Sequence, residues 1–403
     1  MLIEGITLHS FDADRWVVHT QQERNFLVNR PTYRLIELLR ECNNSNEAVT
    51  KFNTSFQTSL NAVQFEQLIA EKLGGYQILK DDTEPEKPTL KNQYLKLKVE
   101  LINARWAGWL SKPFQVFYSP KGFWWALLGA VLTNAGVYFS SDTTQLFGHI
   151  NYPLFLGLVY ATMLIHELGH IGACAKYGLK HGGIGFGFYF VLPVMYADIT
   201  NIWLANKPRR LIANLAGIFN EVFYAALLGI IYLCTDNVTF LAASIGIFSF
   251  VVWEFNPFVR FDGYWVLSDL TNTPNLLIKA NNVFKKSMTR GHIIPFLKNP
   301  VQSLSQTTIA QRWLFMYGFI NTAFWIAIMT YTLVVYWDTV VGFPVIVWGL
   351  IQKAIHLEIK WEDFSRKLIT VLVFYLLAIR LLSNQFRKVT AIWVQFKTTQ
   401  LVF

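Results

Sequence analysis

The residues best suited to chemistry lie in LIHELGHIGAC, where His166, Glu167 and His170 stand together. On a helix, positions four apart share a face, so both imidazoles can reach one ion. Imidazole nitrogen suits zinc. Glu167, beside the first ligand, can take a proton from water that the metal activates. This is the H-E-x-x-H arrangement. A catalytic zinc takes three protein ligands and keeps one position open, so a third ligand must come from elsewhere in the chain.

The other histidines are poor candidates. His9 and His19 fall in a polar N-terminal region, and His149 lies beyond the opposite end of the same apolar run. His181 sits in a glycine-rich loop, and His292 and His356 have no motif around them. The better source is WEFNPFVRFDGYWVLSDL, residues 253–270. Asn256-Pro257 breaks a helix there. Asp262-Gly263 follows, and glycine permits a sharp turn that can aim the carboxylate inward. Asp262 then completes a His2Asp site holding one Zn2+ per chain. Asp269 is the rival, with a helix-face or capping role as its other reading. Asn214 and Asn220 can donate to a developing oxyanion or hydrogen-bond between helices. Glu221 and Glu254 also fall in apolar runs, where they are protonated, paired, or lining a water path.

The elements that must carry these residues are apolar helices. Hydrophobic residues make up 53% of the 403-residue chain and charged residues only 15%, against about a quarter charged in an ordinary globular domain. A spanning helix needs about 20 mostly apolar residues. Five runs qualify: 122–139, 152–175, 211–234, 240–258 and 313–336. A sixth covers 369–382, and 340–351 is a shorter run, re-entrant or part of another span. The expected fold is therefore a multi-pass α-helical membrane protein with six or seven spans. At ~1.5 Å per residue, the run entered at Tyr152 carries His166 roughly 20 Å into a ~30 Å hydrocarbon layer. Ionisable groups at that depth are costly and mark function.

The net charge of +9 follows the spans. Lys112 and Lys121 precede the first, Lys176 to Arg210 lie between the second and third, and Arg260 to Lys298 follow the fourth. The opposite loops, SSDTTQLFGHI and TDNVT, have no lysine or arginine. The bias places the N-terminus and the active-site side in the cytoplasm. No nucleic-acid-binding motif is present, so nucleic acid is not an expected partner. Cys42, Cys174 and Cys234 are far apart and form no CxxC pair, and so give no evidence for a disulfide framework or a cysteine zinc site. The start, MLIEGITLHSFDADRW, lacks the basic and apolar regions of a cleavable signal.

Residues 1–79 are expected to form a small α+β domain. WVVHT and NFLVN suggest strands joined by QQER; helices are expected from Pro31, over 46–56 and over 62–73, with YQIL returning as a strand. Residues 80–93, KDDTEPEKPTLKNQ, have the composition of a linker. Residues 94–121 form an interfacial segment, within which 94–110 suggests an amphipathic helix on the membrane surface or an ordinary packed helix. Residues 122–403 form the transmembrane part.

HELGH in one span and NPFVRFDGYW at the end of a later one resemble the site-2 protease family of intramembrane zinc metalloproteases. The intervening YADITNIWLANKPRRLIANLAGIFNE is closest to the subgroup called peptide zinc metalloproteases. The resemblance implies that His166, His170 and Asp262 bind zinc, that Glu167 is the catalytic base, and that Asn256 and Pro257 shape the helix break. It implies a β-like loop over GGIGFGFYFVLPVMY, residues 182–196, that pairs with an extended substrate; a plain connector is the alternative from the residues alone. No inserted PDZ-like domain is evident, and Ile218 stands where the family has proline. The order of elements in residues 1–79, with FLVNRPTYRLIELL, is similar to the winged-helix-like peptide chaperone of PQQ biosynthesis. That implies a domain binding the leader of a ribosomally made precursor peptide; a regulatory or stabilising role is the other reading.

The expected function is hydrolysis of a peptide bond in a membrane-associated or ribosomally made precursor, in peptide maturation or export. The alternative is a non-proteolytic zinc-binding membrane protein serving peptide export or immunity. Glu167 favours the former, because a structural zinc has no use for a base.

Overall fold

The computed structural model describes residues 5–20, 24–42, 44–76, 78–79, 95–142, 150–189, 192–288 and 308–356, with short pieces between 371 and 379. The chain divides into two compact units, Met1–Pro274 and Asn275–Phe403.

The first unit begins with an antiparallel sheet of β1 (Thr7–Ser10), β2 (Arg15–His19) and β3 (Asn25–Asn29), in that order. Helices α1 (Arg30–Glu41), α2 (Ser45–Phe56) and α3 (Ala62–Leu73) follow. Their starts are written locally: the side chains of Asn29, Asn44 and Asn61 each accept from a first-turn backbone N–H, and Gln64 completes a capping box. Val18, Val28, Ile36, Leu39, Phe65, Ile69 and Leu73 form the core. Strand β1 was not foreseen; TLHS is short and lacks a β-branched run. Of YQIL, Gln77 is outside the described residues and Leu79 makes a single bridge. The linker expected over 80–93 also lies outside them.

The helix expected over 94–110 is corrected. Leu95–Ile102 is strand β4, and only Ala104–Leu110 is helical (α4). LKLKVELI alternates polar and apolar residues, a period of two that suits a sheet. Leu97 and Leu101 are exposed on one face, while Lys98 and Glu100 line a cavity on the other. β4 pairs with β5 (Ile184–Tyr189), and β5 with β6 (Leu192–Ala197), all antiparallel. A bulge lies between Lys96 and Val99, where Leu97 adopts a φ of 50°. The order β4-β5-β6 leaves β6 at an edge, where Pro193, lacking an N–H, is tolerated.

Three long apolar helices complete this unit: α5 (Gly122–Ser140), α6 (Tyr152–Lys176) and α7 (Lys207–Thr235). Asn151 caps α6 and Asn206 caps α7, each with a proline at the start of the helix. The shorter α8 (Val238–Glu254) and α9 (Asp262–Leu270) follow. Helix α7 is central and packs against α5, α6, α8 and α9. At the α6–α7 crossing, a Cβ on Gly169 would overlap the Ala216 carbonyl, so glycine sets the approach of the two helices. Outward faces carry Trp125, Leu132, Phe139 and Tyr160 in the open, as a lipid-facing surface requires.

The second unit contains α10 (Leu276–Ser287), α11 (Ile309–Val335) and α12 (Trp337–Ile355). Helix α11 is a fourth helix long and apolar enough to cross a membrane. The run expected over 240–258 appears as α8, shorter at 17 residues because Asn256-Pro257 ends it. The run 340–351 belongs to a continuous 19-residue helix that contains Pro344. Most of 369–382 lies outside the described residues, so four helices of spanning length, not six or seven, are seen among those described.

Candidate metal centre

Helix α6 supplies the first two donors. His166 Nε2 and His170 Nε2 are 3.1 Å apart, as one turn of helix predicts. Asp262 comes from the start of α9, and its Oδ2 lies 3.3 Å from His166 Nε2 and 3.2 Å from His170 Nε2. Three donors held ~2.0–2.1 Å from one tetrahedral ion stand about 3.3 Å apart. The triangle therefore has the size of one face of a zinc polyhedron. Asp262 Oδ2 has no hydrogen-bond partner, and both imidazoles are buried. The donors fit zinc in chemistry and in spacing.

Two glycines make this approach possible. A Cβ on Gly217 of α7 would come within 2.5 Å of His166 Nε2 and 2.6 Å of His170 Nε2. A Cβ on Gly263 would lie 2.5 Å from the carbonyl carbon of Phe255, just past the end of α8. Gly263 is helical and has no left-handed φ. Its glycine is demanded by the close contact of α9 with the end of α8, not by a turn. Asn256 shapes that end: its Oδ1 accepts from Phe258 N at 2.9 Å, and Pro257 follows it out of the helix. Asp262 thus stands in the first turn of α9, where the helix dipole favours a carboxylate.

Each imidazole has a polar group behind it. His170 Nδ1 lies 2.8 Å from the Ala213 carbonyl of α7, which fixes Nδ1 as the donor and frees Nε2 as the ligand. His166 Nδ1 faces Glu221 Oε1 at 3.4 Å and Glu254 Oε2 at 3.6 Å. Those two glutamates were recognised in the sequence as polar intruders but not as neighbours of His166. Arg210, Asn214, Gly217 and Glu221 follow one another at helical spacing, a polar and glycine stripe in an apolar helix. That stripe is the signal that α7 faces the site.

Glu167 is 8% exposed and lines the same cavity as the three donors. The Ala197 backbone, at the end of β6, hydrogen-bonds to its carboxylate. The cavity measures about 1180 Å³. Its walls include Val194 and Tyr196 of β6, Lys98 and Glu100 of β4, and Glu221 and Glu254. A strand edge therefore borders the space in which the donors meet.

The rival carboxylate is engaged elsewhere. Asp269 Oδ1 accepts from Arg210 Nε at 2.9 Å, and its Oδ2 accepts from Asn214 Nδ2 at 2.7 Å. Arg210 is fully buried, donates to the Ala205 carbonyl, and has the Phe11 ring 4.0 Å from its guanidinium carbon. Of the two amides considered for an oxyanion, Asn214 thus serves Asp269. Asn220 donates to the Ile165 carbonyl at 2.8 Å and accepts from the Tyr118 hydroxyl at 2.7 Å. His181 lines the cavity but joins no group of metal-binding donors among the described residues. His9 and His19 hydrogen-bond within the N-terminal sheet to Thr7 and Asn25. His149 and His292 lie outside the described residues.

Over 107 residues, 26% of its length, the chain is 26% identical to a protein of Bacillus subtilis (strain 168) named "Putative peptide zinc metalloprotease protein YydH". The match spans 42% of that protein's length. No family model matches the chain, and no solved structure matches it.

Proposed function

We propose that this protein is an intramembrane zinc metalloendopeptidase. The observation that carries the reading is the triangle of His166, His170 and Asp262 donors at 3.1–3.3 Å, with Glu167 facing the same cavity. The likeness to a protein named as a zinc metalloprotease supports it. In this reading His166, His170 and Asp262 hold one Zn2+ per chain. When bound, zinc supplies Lewis acidity, polarising the scissile carbonyl and lowering the pKa of water towards ~7.

The chain's own residues do the rest. Glu167 accepts the proton of the attacking water and delivers it to the leaving amine. Gly217 keeps the donor faces of both imidazoles clear. The β6 edge offers backbone groups to an extended peptide, so that a substrate adds as a further strand beside the donors. Such pairing reads the backbone more than the side chains, and suits a protease whose substrate must first leave its helix.

The proposed setting is a cell membrane crossed six or seven times, with residues 1–79 and the active-site side in the cytoplasm. The substrate is a membrane-associated or ribosomally made precursor peptide, processed for maturation or export. Residues 1–79 bind its leader, as the similarity to the PQQ-biosynthesis chaperone domain implies. Their docking supports this placement: Phe11 stacks on Trp203 at 5.8 Å, and the Arg15 guanidinium donates to the Asn272 carbonyl at 2.6 Å. Trp203 itself lines the cavity, and Asn272 lies close in sequence to Asp269, which also lines it.

The test is co-expression of the full chain with a panel of precursor and single-span membrane peptides, read by mass spectrometry. Wild type should yield defined fragments that Glu167→Gln does not, with zinc content equal in the two. Fragments formed equally by Glu167→Gln would remove the proposed base. Zinc-loaded wild type that cleaves nothing would leave the zinc-binding export or immunity protein.

A further inference from the structure

His166 has polar neighbours at both nitrogens. Its Nε2 faces His170 and Asp262, so its Nδ1 points away from them, into the angle between α7 and the end of α8. Two carboxyl groups meet it there, Glu221 Oε1 at 3.4 Å and Glu254 Oε2 at 3.6 Å. Glu221 is 2% exposed and Glu254 is 9% exposed. His166 Nδ1, Glu221 Oε2 and Glu254 Oε2 have no hydrogen-bond partner among the described residues. A buried polar atom left unmatched is costly. An unmatched ring nitrogen with two buried carboxyl groups beside it indicates a purpose served at that nitrogen.

We propose that Glu221 and Glu254 are positioning residues for His166: Glu221 accepts the Nδ1 proton, and Glu254 braces Glu221 from the end of α8. This rests on the zinc reading above. The comparison with His170 supports it. That ring is held by a backbone carbonyl, Ala213, on the same helix. Ala213, Gly217 and Glu221 are spaced four residues apart, so one stripe of α7 carries a support, a gap and a second support. The gap admits the donor faces of both rings, and the supports set the tautomer of each. A carboxylate behind an imidazole orients it and raises its basicity as a ligand, which a carbonyl does less strongly. The two histidines are therefore unequal, and His166 is the one tuned by side chains.

The test measures metal binding in detergent-purified full-length protein, without substrate. Zinc affinity is read by competition with a chromophoric chelator, and ligand geometry by the visible spectrum of the cobalt(II) form. Glu221→Leu should weaken zinc by roughly 10–100-fold and shift the cobalt bands. Glu221→Gln keeps an acceptor oxygen and should weaken it by only about three- to tenfold. The metal-free unfolding temperature should match wild type in both, which separates positioning from general structural support. If the leucine variant does not fold, the glutamine variant carries the test alone. Wild-type affinity and an unchanged cobalt spectrum in the folded Glu221 variants would overturn the proposal and leave the zinc site standing. Two cobalt ions per wild-type chain, one lost on changing Glu221, would overturn it by making the carboxylates ligands of a second ion. Wild type that takes up no metal would sink the zinc reading and this pair together.

Discussion

Gly217 lies against His166 so closely that a single added carbon would collide with the ligand nitrogen: a Cβ there would stand 2.5 Å from Nε2. The same carbon would be 2.6 Å from His170 Nε2. The neighbours are two buried rings, and His170 cannot swing away without losing its hydrogen bond to the Ala213 carbonyl. Close passage of α7 under α6 is therefore a condition for the donors to converge.

Gly217→Ala should accordingly abolish metal binding while leaving the helices assembled. Zinc content should fall below about a tenth of wild type, with α-helical circular dichroism unchanged. Small-to-large changes in packed sites cost about 1–3 kcal/mol, so the variant should remain folded at moderate temperature. Full zinc retention would mean that α7 stands farther from the rings than the structure shows.

Asp262 and Asp269 should separate cleanly. Asp262→Ala should lose most bound zinc and, compared with metal-free wild type, little stability, since its Oδ2 makes no hydrogen bond to the protein. Asp269→Ala should keep zinc but lose roughly 3–5 kcal/mol, because it strands Arg210 as an unpaired charge in a buried site. Metal analysis and thermal unfolding of the two variants, side by side, check both halves. Zinc lost from the Asp269 variant alone would exchange their roles.

Removing the metal should lower stability by mass action. With free zinc about a thousandfold above its dissociation constant, chelation should cost about 4 kcal/mol. Thermal unfolding in detergent, with and without chelator, reads this directly. Asp262→Ala should show no such difference, because it has no tight site to empty.

Phe11→Ala should loosen the N-terminal sheet from the membrane helices. The ring is buried, stacks on Trp203, and lies 4.0 Å from the Arg210 guanidinium. Losing it should cost roughly 3–5 kcal/mol and raise hydrogen exchange in β1 and β2 at least tenfold. Zinc content should not change. Unaltered exchange would show that other contacts dock this domain.

Much of the site is written in local sequence. Positions 166 and 170 share a face in any α-helix, so the pair of imidazoles needs no tertiary information. Asn256-Pro257 stops a helix wherever it falls, and the runs of apolar residues announce helices α5 to α8 and α11. The asparagine caps at 29, 61, 151 and 206 were likewise readable one turn at a time. Strand β4 was legible too, in the alternation of LKLKVELI, but reading 94–110 as one amphipathic segment masked it.

What the sequence alone could not decide was which distant residues meet. Asp262 and Asp269 sit on the same short helix, two turns apart, and either could have faced α6. Packing chose: Arg210 of α7 takes Asp269, and the contact of Gly263 with Phe255 seats Asp262 over the imidazoles. Glu221 and Glu254 are 33 residues apart in sequence, on different helices, yet converge on one ring nitrogen. Local periodicity determines which face of a helix a residue occupies. Which faces come together depends on side-chain volumes and glycine gaps contributed by segments far apart in the chain, and that is settled only when they pack.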